Sequence, residues 1–300
     1  MSRIARAAIF AGAVMFSMPS FAADPDWQKV GQALGKDGAV QTGGVYRVPL
    51  PRSDLNVTLD GVAIKPGFAL GGWLAFEPMG NDAMVMGDLV LTQDEVNPVM
   101  KKFEENGLEI TALHNHLLRA EPMTLYMHVM GRGDPVKLAT ALHAGLALSK
   151  TPMPAATPAS PSQPAVAPQI DFDTGAVDQA MGQKGKNNGG IYQFSILRAQ
   201  AVKDGGMEVP EAMGSAIGIN FQPTGSGKAA ITGDFVLVSS EVNPVIKDLQ
   251  QSGIEITALH SHMLDEQPRL LFMHFWANDD AQKLAKGLRT ALDKIAIKKG

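Results

Sequence analysis

One unit in this chain is written twice. Gly87-Asp88-Leu-Val-Leu returns as Gly233-Asp234-Phe-Val-Leu, and Glu95-Val-Asn-Pro-Val99 returns unchanged as Glu241-Val-Asn-Pro-Val245. Gly107-Leu-Glu-Ile-Thr-Ala-Leu-His114-Asn-His116 returns as Gly253-Ile-Glu-Ile-Thr-Ala-Leu-His260-Ser-His262. Tyr126-Met127-His128 returns as Phe272-Met273-His274, and further upstream Gly43-Gly44-Val-Tyr46 and Arg52 match Gly189-Gly190-Ile-Tyr192 and Arg198. All stand at one constant offset, that between His114 and His260, which makes duplication the frame for any fold. With 300 residues the chain is long enough for two domains of ordinary size.

Residues 149–169 lie between the copies and are rich in Pro, Ala, Ser and Thr with almost no charge. Such a segment cannot bury a core and reads as a tether, which puts the domains at 24–148 and 170–300. Within each copy, Gly and Pro punctuate short apolar runs over roughly 43–92, a pattern of strands and turns. The second half reads β-α-β-β-α. Met84 to Thr92 is a strand, and Asn97-Pro98 then opens a helix as cap and first position. Leu108 to Leu118 and Thr124 to Met130 are strands, and Asp134-Pro135 opens a last helix whose copy-two equivalent runs from Asp279 to Lys294. The fold class is α+β: a tandem duplication of a two-layer α/β domain with a mostly antiparallel sheet.

The first 22 residues read as a secretory leader. Arg3 and Arg6 precede an apolar stretch that is too short to span a bilayer comfortably, and Ser20-Phe21-Ala22 predicts cleavage after Ala22. No cysteine is present, which excludes disulfides, thiolate ligands, cysteine nucleophiles and a lipoprotein anchor. A formal net charge of −4 with no basic run argues against nucleic acid and anionic membrane surfaces as partners. No later segment has the length and apolarity of a transmembrane helix. The expected location is periplasmic or secreted.

The chain has seven histidines. All but His143 fall at three repeated positions: His114, His116 and His128, then His260, His262 and His274. On a strand, residues i and i+2 share a face, so His114 and His116 sit about 7 Å apart on one side. If the following hairpin loop spans 119–123, Tyr126 opposes His116 and His128 opposes His114, and all three imidazoles face one way. A slip of one residue would turn His128 to the other face. Three converging imidazoles suit a divalent transition metal, zinc first and copper as the alternative. The competing reading is structural histidine, hydrogen-bonded to backbone or to Thr111 and Asn115.

Other repeated or adjacent groups are candidates for supporting roles. Glu121 in copy one, and Asp265 or Glu266 in copy two, lie in the hairpin loop as possible ligands, although Glu121 aligns with Gln267 at the constant offset. Glu95 and Glu241 could orient a histidine from behind. Met127, Met130, Met263 and Met273 lie near the cluster and would favour copper as soft ligands, or fill a core. Tyr46, Tyr192, Arg52 and Arg198 could line a ligand cleft. No Gly-x-Ser-x-Gly elbow, phosphate-binding loop or His-Glu-x-x-His is present.

The run from Glu241-Val-Asn-Pro-Val through Gly253-Ile-Glu-Ile-Thr-Ala-Leu-His-Ser-His-Met-Leu-Asp-Glu-Gln-Pro-Arg-Leu to Met273-His-Phe-Trp-Ala-Asn-Asp-Asp resembles the LppY/LpqO family of secreted bacterial proteins. Gly205-Gly-Met-Glu-Val-Pro, Phe221-Gln-Pro-Thr-Gly and Thr232-Gly-Asp-Phe-Val-Leu extend the resemblance over most of copy two. It implies export and paired domains, and transfers no catalytic role. Copy one departs at Arg119-Ala-Glu, against Asp265-Glu-Gln.

Three functions fit these features. The first is an exported metal-binding protein with one His-x-His…His site per copy, acting as carrier, sensor or structural metal module. The second is a metal-dependent hydrolase or lyase. The third is a metal-free module that binds a small molecule or cell-envelope component between the copies. The sequence leaves catalysis open.

Overall fold

The computed structural model describes residues 25–153 and 168–298. The expected leader and most of the expected tether lie outside the described residues. The first part of the expected tether belongs to copy one: the Lys150 amide donates to the Glu95 carboxylate at 2.7 Å, and Thr151 is buried.

Each copy is a six-stranded antiparallel sheet with helices on one face. In copy one the spatial order is Ala39–Val40, Tyr46–Pro51, Gly71–Met79, Asp82–Thr92, Thr124–Gly133 and Glu109–His114. Copy two repeats it with Lys186–Asn188, Ile191–Ile196, Ile217–Gly225, Lys228–Leu237, Leu271–Asp280 and Glu255–His260. The alternation of strand side chains sorts the residues of each sheet. Val48, Leu50, Phe76, Val85, Leu89, Leu91, Met127 and Val129 pack against Val99, Phe103, Leu138 and Leu142 of the helices Gln93–Glu105 and Pro135–Leu146.

The opposite faces of the two sheets meet each other. One buried cluster joins Phe68, Val90 and Tyr126 of copy one to Ile191, Ala230 and Trp276 of copy two. Ala75, Met84, Met86 and Met130 join the core of copy two. The layers therefore run helix, sheet, sheet, helix. Side chains bridge the copies as well: Gln222 donates to the Ala63 carbonyl at 2.7 Å, Asn220 to Phe68 at 3.0 Å, and Trp276 to Asp60 at 3.0 Å.

The repeated helix starts earlier than its proline suggests. It spans Gln93–Glu105, with Thr92 as cap, and Glu95 reaches back to accept from the Thr92 amide at 2.9 Å. Glu241 does the same for Val238. Pro98 and Pro244 sit inside their helices. Pro98 is exposed, so the carbonyl that loses its partner can turn to water. The expected Asp134 cap holds, its carboxylate accepting from the amides of Val136 and Lys137. The helices Trp27–Leu34 and Thr174–Met181, each opening a copy, were not expected from the punctuation. No helix among the described residues is long and apolar enough to cross a membrane.

Candidate metal centre between the two copies

The strand Glu109–His114 ends on the first histidine, and the strand Thr124–Gly133 carries the third. Their register pairs His114 with Tyr126 and Ala112 with His128. This differs by two residues from the expected pairing, because the strand ends at His114 and the connection is correspondingly longer. An even shift preserves the face, so His114, Tyr126 and His128 still point the same way. Copy two pairs His260 with Phe272 and Ala258 with His274 in the same manner.

That shared face is the one that meets the other sheet, so the two histidine sets come together. His114 stacks on His260 with ring centroids 3.4 Å apart. His116 lies 3.6 Å from His274, and His128 lies 3.8 Å from His262. Tyr126 covers His116 at 3.3 Å, and Phe272, its counterpart, covers His262 at 3.5 Å. The arrangement follows the duplication: each element of one copy meets the corresponding partner of the other about an approximate two-fold axis.

Two aspartates complete the centre. Asp88 sits directly across the ladder from His128, and Asp234 across from His274. Asp234 carboxylate oxygens stand 3.7 Å from the Nε2 atoms of both His262 and His274, and Asp88 stands 3.9 Å from that of His128. Ligand atoms converge within 4.8 Å in three groups: His114, His116 and His274; His114, His260 and His262; and Asp234, His262 and His274. Two of these groups draw on both copies, where one site per copy was expected.

The Nε2 atoms of all the repeated histidines are buried without a hydrogen-bond partner, as are Oδ1 of Asp88 and of Asp234. Buried polar atoms are normally satisfied, and leaving one unpaired costs about 1–3 kcal/mol. The other ring nitrogen explains the orientation. His274 Nδ1 meets the Gly233 carbonyl at 2.8 Å, so it carries the proton and Nε2 keeps a lone pair. His114 and His260 make longer contacts of the same kind to Asn115 and Ser261.

Burial keeps these imidazoles neutral. It lowers His114 to about 3, with His260 adding to the effect, and His260 to about 4. His116, His128, His262 and His274 are also held well below the ordinary imidazole value, by burial first and by neighbouring histidines second. Burial also raises Asp88 to about 7 against the pull of Arg47, and raises Asp234 well above the carboxylate range, with Asp88 contributing. Neutral lone pairs beside carboxylates that no arginine or lysine pairs directly make a cation-seeking set.

The other sequence candidates lie elsewhere. Arg52 is fully buried in a two-pronged pair with Glu95 at 2.7 and 3.2 Å and also holds Asp54; Arg198 pairs likewise with Glu241 at 2.7 and 3.1 Å. These residues pin the entry of each helix, so the glutamates do not stand behind a histidine; Arg198 borders a separate pocket of about 110 Å³, and neither arginine borders the cavity beside the histidines. Tyr46 stacks on Trp27 and accepts from the Gly38 amide, and Tyr192 donates to Asp178. Both belong to the cores of their own copies. Glu121 is exposed and pairs through its backbone with Thr58, and Asp265 is exposed. Glu266 is buried but accepts from the Leu270 amide and from Arg269. None of these carboxylates joins a converging group among the described residues. Met127 and Met273 face their helices, and Met130 and Met263 fill the apolar cluster. Asp88 and Asp234 are not among the residues expected from the sequence; their signal is a charged residue recurring after glycine in an otherwise apolar strand.

A cavity of about 330 Å³ opens beside the centre. His116, His128, His262, His274, Asp88 and Asp234 border it, together with Arg47 and Trp73.

Comparison with known proteins adds the following. No curated protein matches the chain. A crystal structure of a trimeric bacterial microcompartment shell protein, PduB, aligns over 85% of this chain and 90% of that chain at 13% identity. Its TM-score of 0.23 carries no argument about function or assembly. Residues 28–148 and 175–294, one stretch per copy, both match one family, and the chain belongs to it: the family described as Domain of Unknown Function (DUF1259).

Proposed function

We propose that this is an exported metal-binding protein whose two copies jointly hold one metal centre. The observation that carries the reading is the convergence of buried, unpartnered donors, the Nε2 atoms of His114, His116, His260, His262 and His274 with Asp234, while the unpartnered His128 and Asp88 stand beside them. A structural role for histidine would spend those nitrogens on hydrogen bonds. Nitrogen and carboxylate donors without sulfur suit zinc, with other borderline divalent ions, copper among them, next in order. Eight donors exceed the four of a closed zinc site, so the centre has capacity for a second ion or for an open position. The leader over 1–22 and the resemblance to LppY/LpqO proteins support export.

The test is metal content by mass spectrometry on protein purified without an affinity tag. At least one equivalent of metal per chain is expected. Its absence after micromolar supply at neutral pH would favour the metal-free ligand-binding module. Mature protein from the periplasmic fraction should begin at or near Ala23, and an intact Met1 there would remove the export reading.

The cavity supports a second reading, a metal-dependent hydrolase or lyase, because an accessible metal can activate bound water. Cobalt substitution separates the two. An open position would shift the visible spectrum when azide is added, and a closed carrier or structural centre would leave it unchanged.

A further inference from the structure

The proposed metal centre forms only the inner end of the cavity, and the outer wall differs between the copies. Trp73 stands across its ladder from Asp88, where copy two has Gly218 across from Asp234. Arg47 follows Tyr46, where copy two has Gln193 after Tyr192. The pseudo-symmetric centre therefore has one cationic, aromatic wall.

Arg47 is the feature that needs an explanation. Each of the other described arginines pairs with a carboxylate. Arg47 has no such partner among the described residues. Its guanidinium lies over the Trp73 ring at 4.3 Å, and one Nη1 donor goes to the Ala212 carbonyl. The stacking and the carbonyl fix the plane of the fork and leave donors unspent on the cavity side. Asp88, whose charge reaches Arg47, stands among the histidines, where the metal would take its charge. Outward, Arg47 shares a continuous opening with Lys184 and Lys186 against a single carboxylate, Glu211. Thr232 lends the wall a hydroxyl where copy one has Met86.

We propose that the cavity takes a small molecule bearing an oxyanion, a carboxylate or a phosphate, with that group on Arg47 and the rest of the molecule directed toward the metal. A planar fork held in place matches an oxyanion with two parallel hydrogen bonds, and a cavity of about 330 Å³ is of small-molecule size. The inner contact rests on the metal reading, and the Arg47 contact does not.

Calorimetric titration of the full-length protein with malonate, inorganic phosphate and malonamide tests this, with metal loaded and after chelation. At least one of the two anions should bind, and malonamide, which has malonate's shape without its charge, should bind about tenfold more weakly or worse. Arg47→Gln, which installs the copy-two residue, should weaken anion binding by about tenfold in both metal states, with circular dichroism and thermal midpoint close to wild type. Lys184→Gln with Lys186→Gln should slow association in a salt-dependent way with a smaller change in affinity. Equal binding of malonamide, unchanged anion affinity in Arg47→Gln, or no anion binding at millimolar concentration would overturn the proposal. Failure of the protein to take up supplied metal would count against the metal reading, and Arg47-dependent anion binding in that same protein would leave this one standing.

Discussion

The two copies differ far more on the faces they turn to each other than on the faces they turn to their helices. Under the helices, Phe76, Leu91, Val99 and Met127 are matched by Phe221, Leu237, Val245 and Met273. On the inner face, copy one presents Trp73, Ala75, Met84, Met86 and Met130, whereas copy two presents Gly218, Asn220, Ala230, Thr232 and Trp276. A core behind a sheet must fill the same volume in both copies, so its residues stay similar in kind. The inner face packs against a different partner in each case, which frees one copy to fill space with methionine while the other keeps hydroxyl and amide groups beside the cavity. The histidines and aspartates are the exception, for they remain the same on both inner faces.

The comparison breaks first at the metal. If both copies feed one centre, His262→Ala with His274→Ala should lower metal binding of the whole protein by orders of magnitude, because two of the converging groups lose at least one ligand and the third loses two. One equivalent retained at wild-type affinity would restore the picture of independent sites.

Separation of the copies should come next in size. A chain of residues 168–298 alone would expose Ile191, Ala230, Trp276 and the histidine face, all buried against copy one. It should aggregate, or pair with itself, by analytical ultracentrifugation. A monomer with a sharp unfolding transition would show that each copy stands alone, as the tether by itself suggests.

The buried Arg–Glu clamps test the shared part of the design. Arg52→Ala and Arg198→Ala should each cost about 3–5 kcal/mol in denaturant unfolding, since each leaves a buried glutamate unpaired. Arg52, which also holds Asp54, should be the costlier of the two.

Acid should unfold the metal-free protein early. The unfolded chain takes up protons on imidazole near pH 6.5, and the folded chain does not until about 4 for His260 and about 3 for His114. Each such group costs about 1.4 kcal/mol per pH unit as pH falls below 6.5. Asp88 and Asp234 act oppositely, since their raised values favour the folded state as they protonate, but they are outnumbered by the histidines. The unfolding midpoint should drop steeply between pH 6.5 and 4, and a flat profile would mean that the imidazoles are solvated.

The smallest effect belongs to Arg119. It is exposed and bridges Asp60 to Glu255 across the copies, so Arg119→Gln should leave the unfolding midpoint close to wild type and metal affinity unchanged. An electrostatic role beside the cation, the natural guess from its place in the hairpin loop, would instead raise affinity in the variant.

Much of this was legible in the residues. The constant offset marked the duplication, Asp134-Pro135 marked a helix start, and the histidine spacing marked one face of a hairpin. The register came out two residues away, because periodicity fixes the face of a strand and not its length. Glu95 misled for a related reason: a repeated glutamate near a histidine motif reads as support for it, yet it serves its own helix as an N-terminal partner and fixes Arg52.

The sequence by itself determined that there are two copies, what each is built from, and that three imidazoles in each share a side. Only the tertiary structure decided that the two sides meet. Local spacing acts within a strand or a hairpin, whereas the pairing of His116 with His274, and of His128 with His262, depends on one sheet face burying itself against the other. That packing also brought in Asp88 and Asp234, which had only an apolar strand around them in the sequence, and set Arg47 on one wall of a cavity that neither copy forms alone.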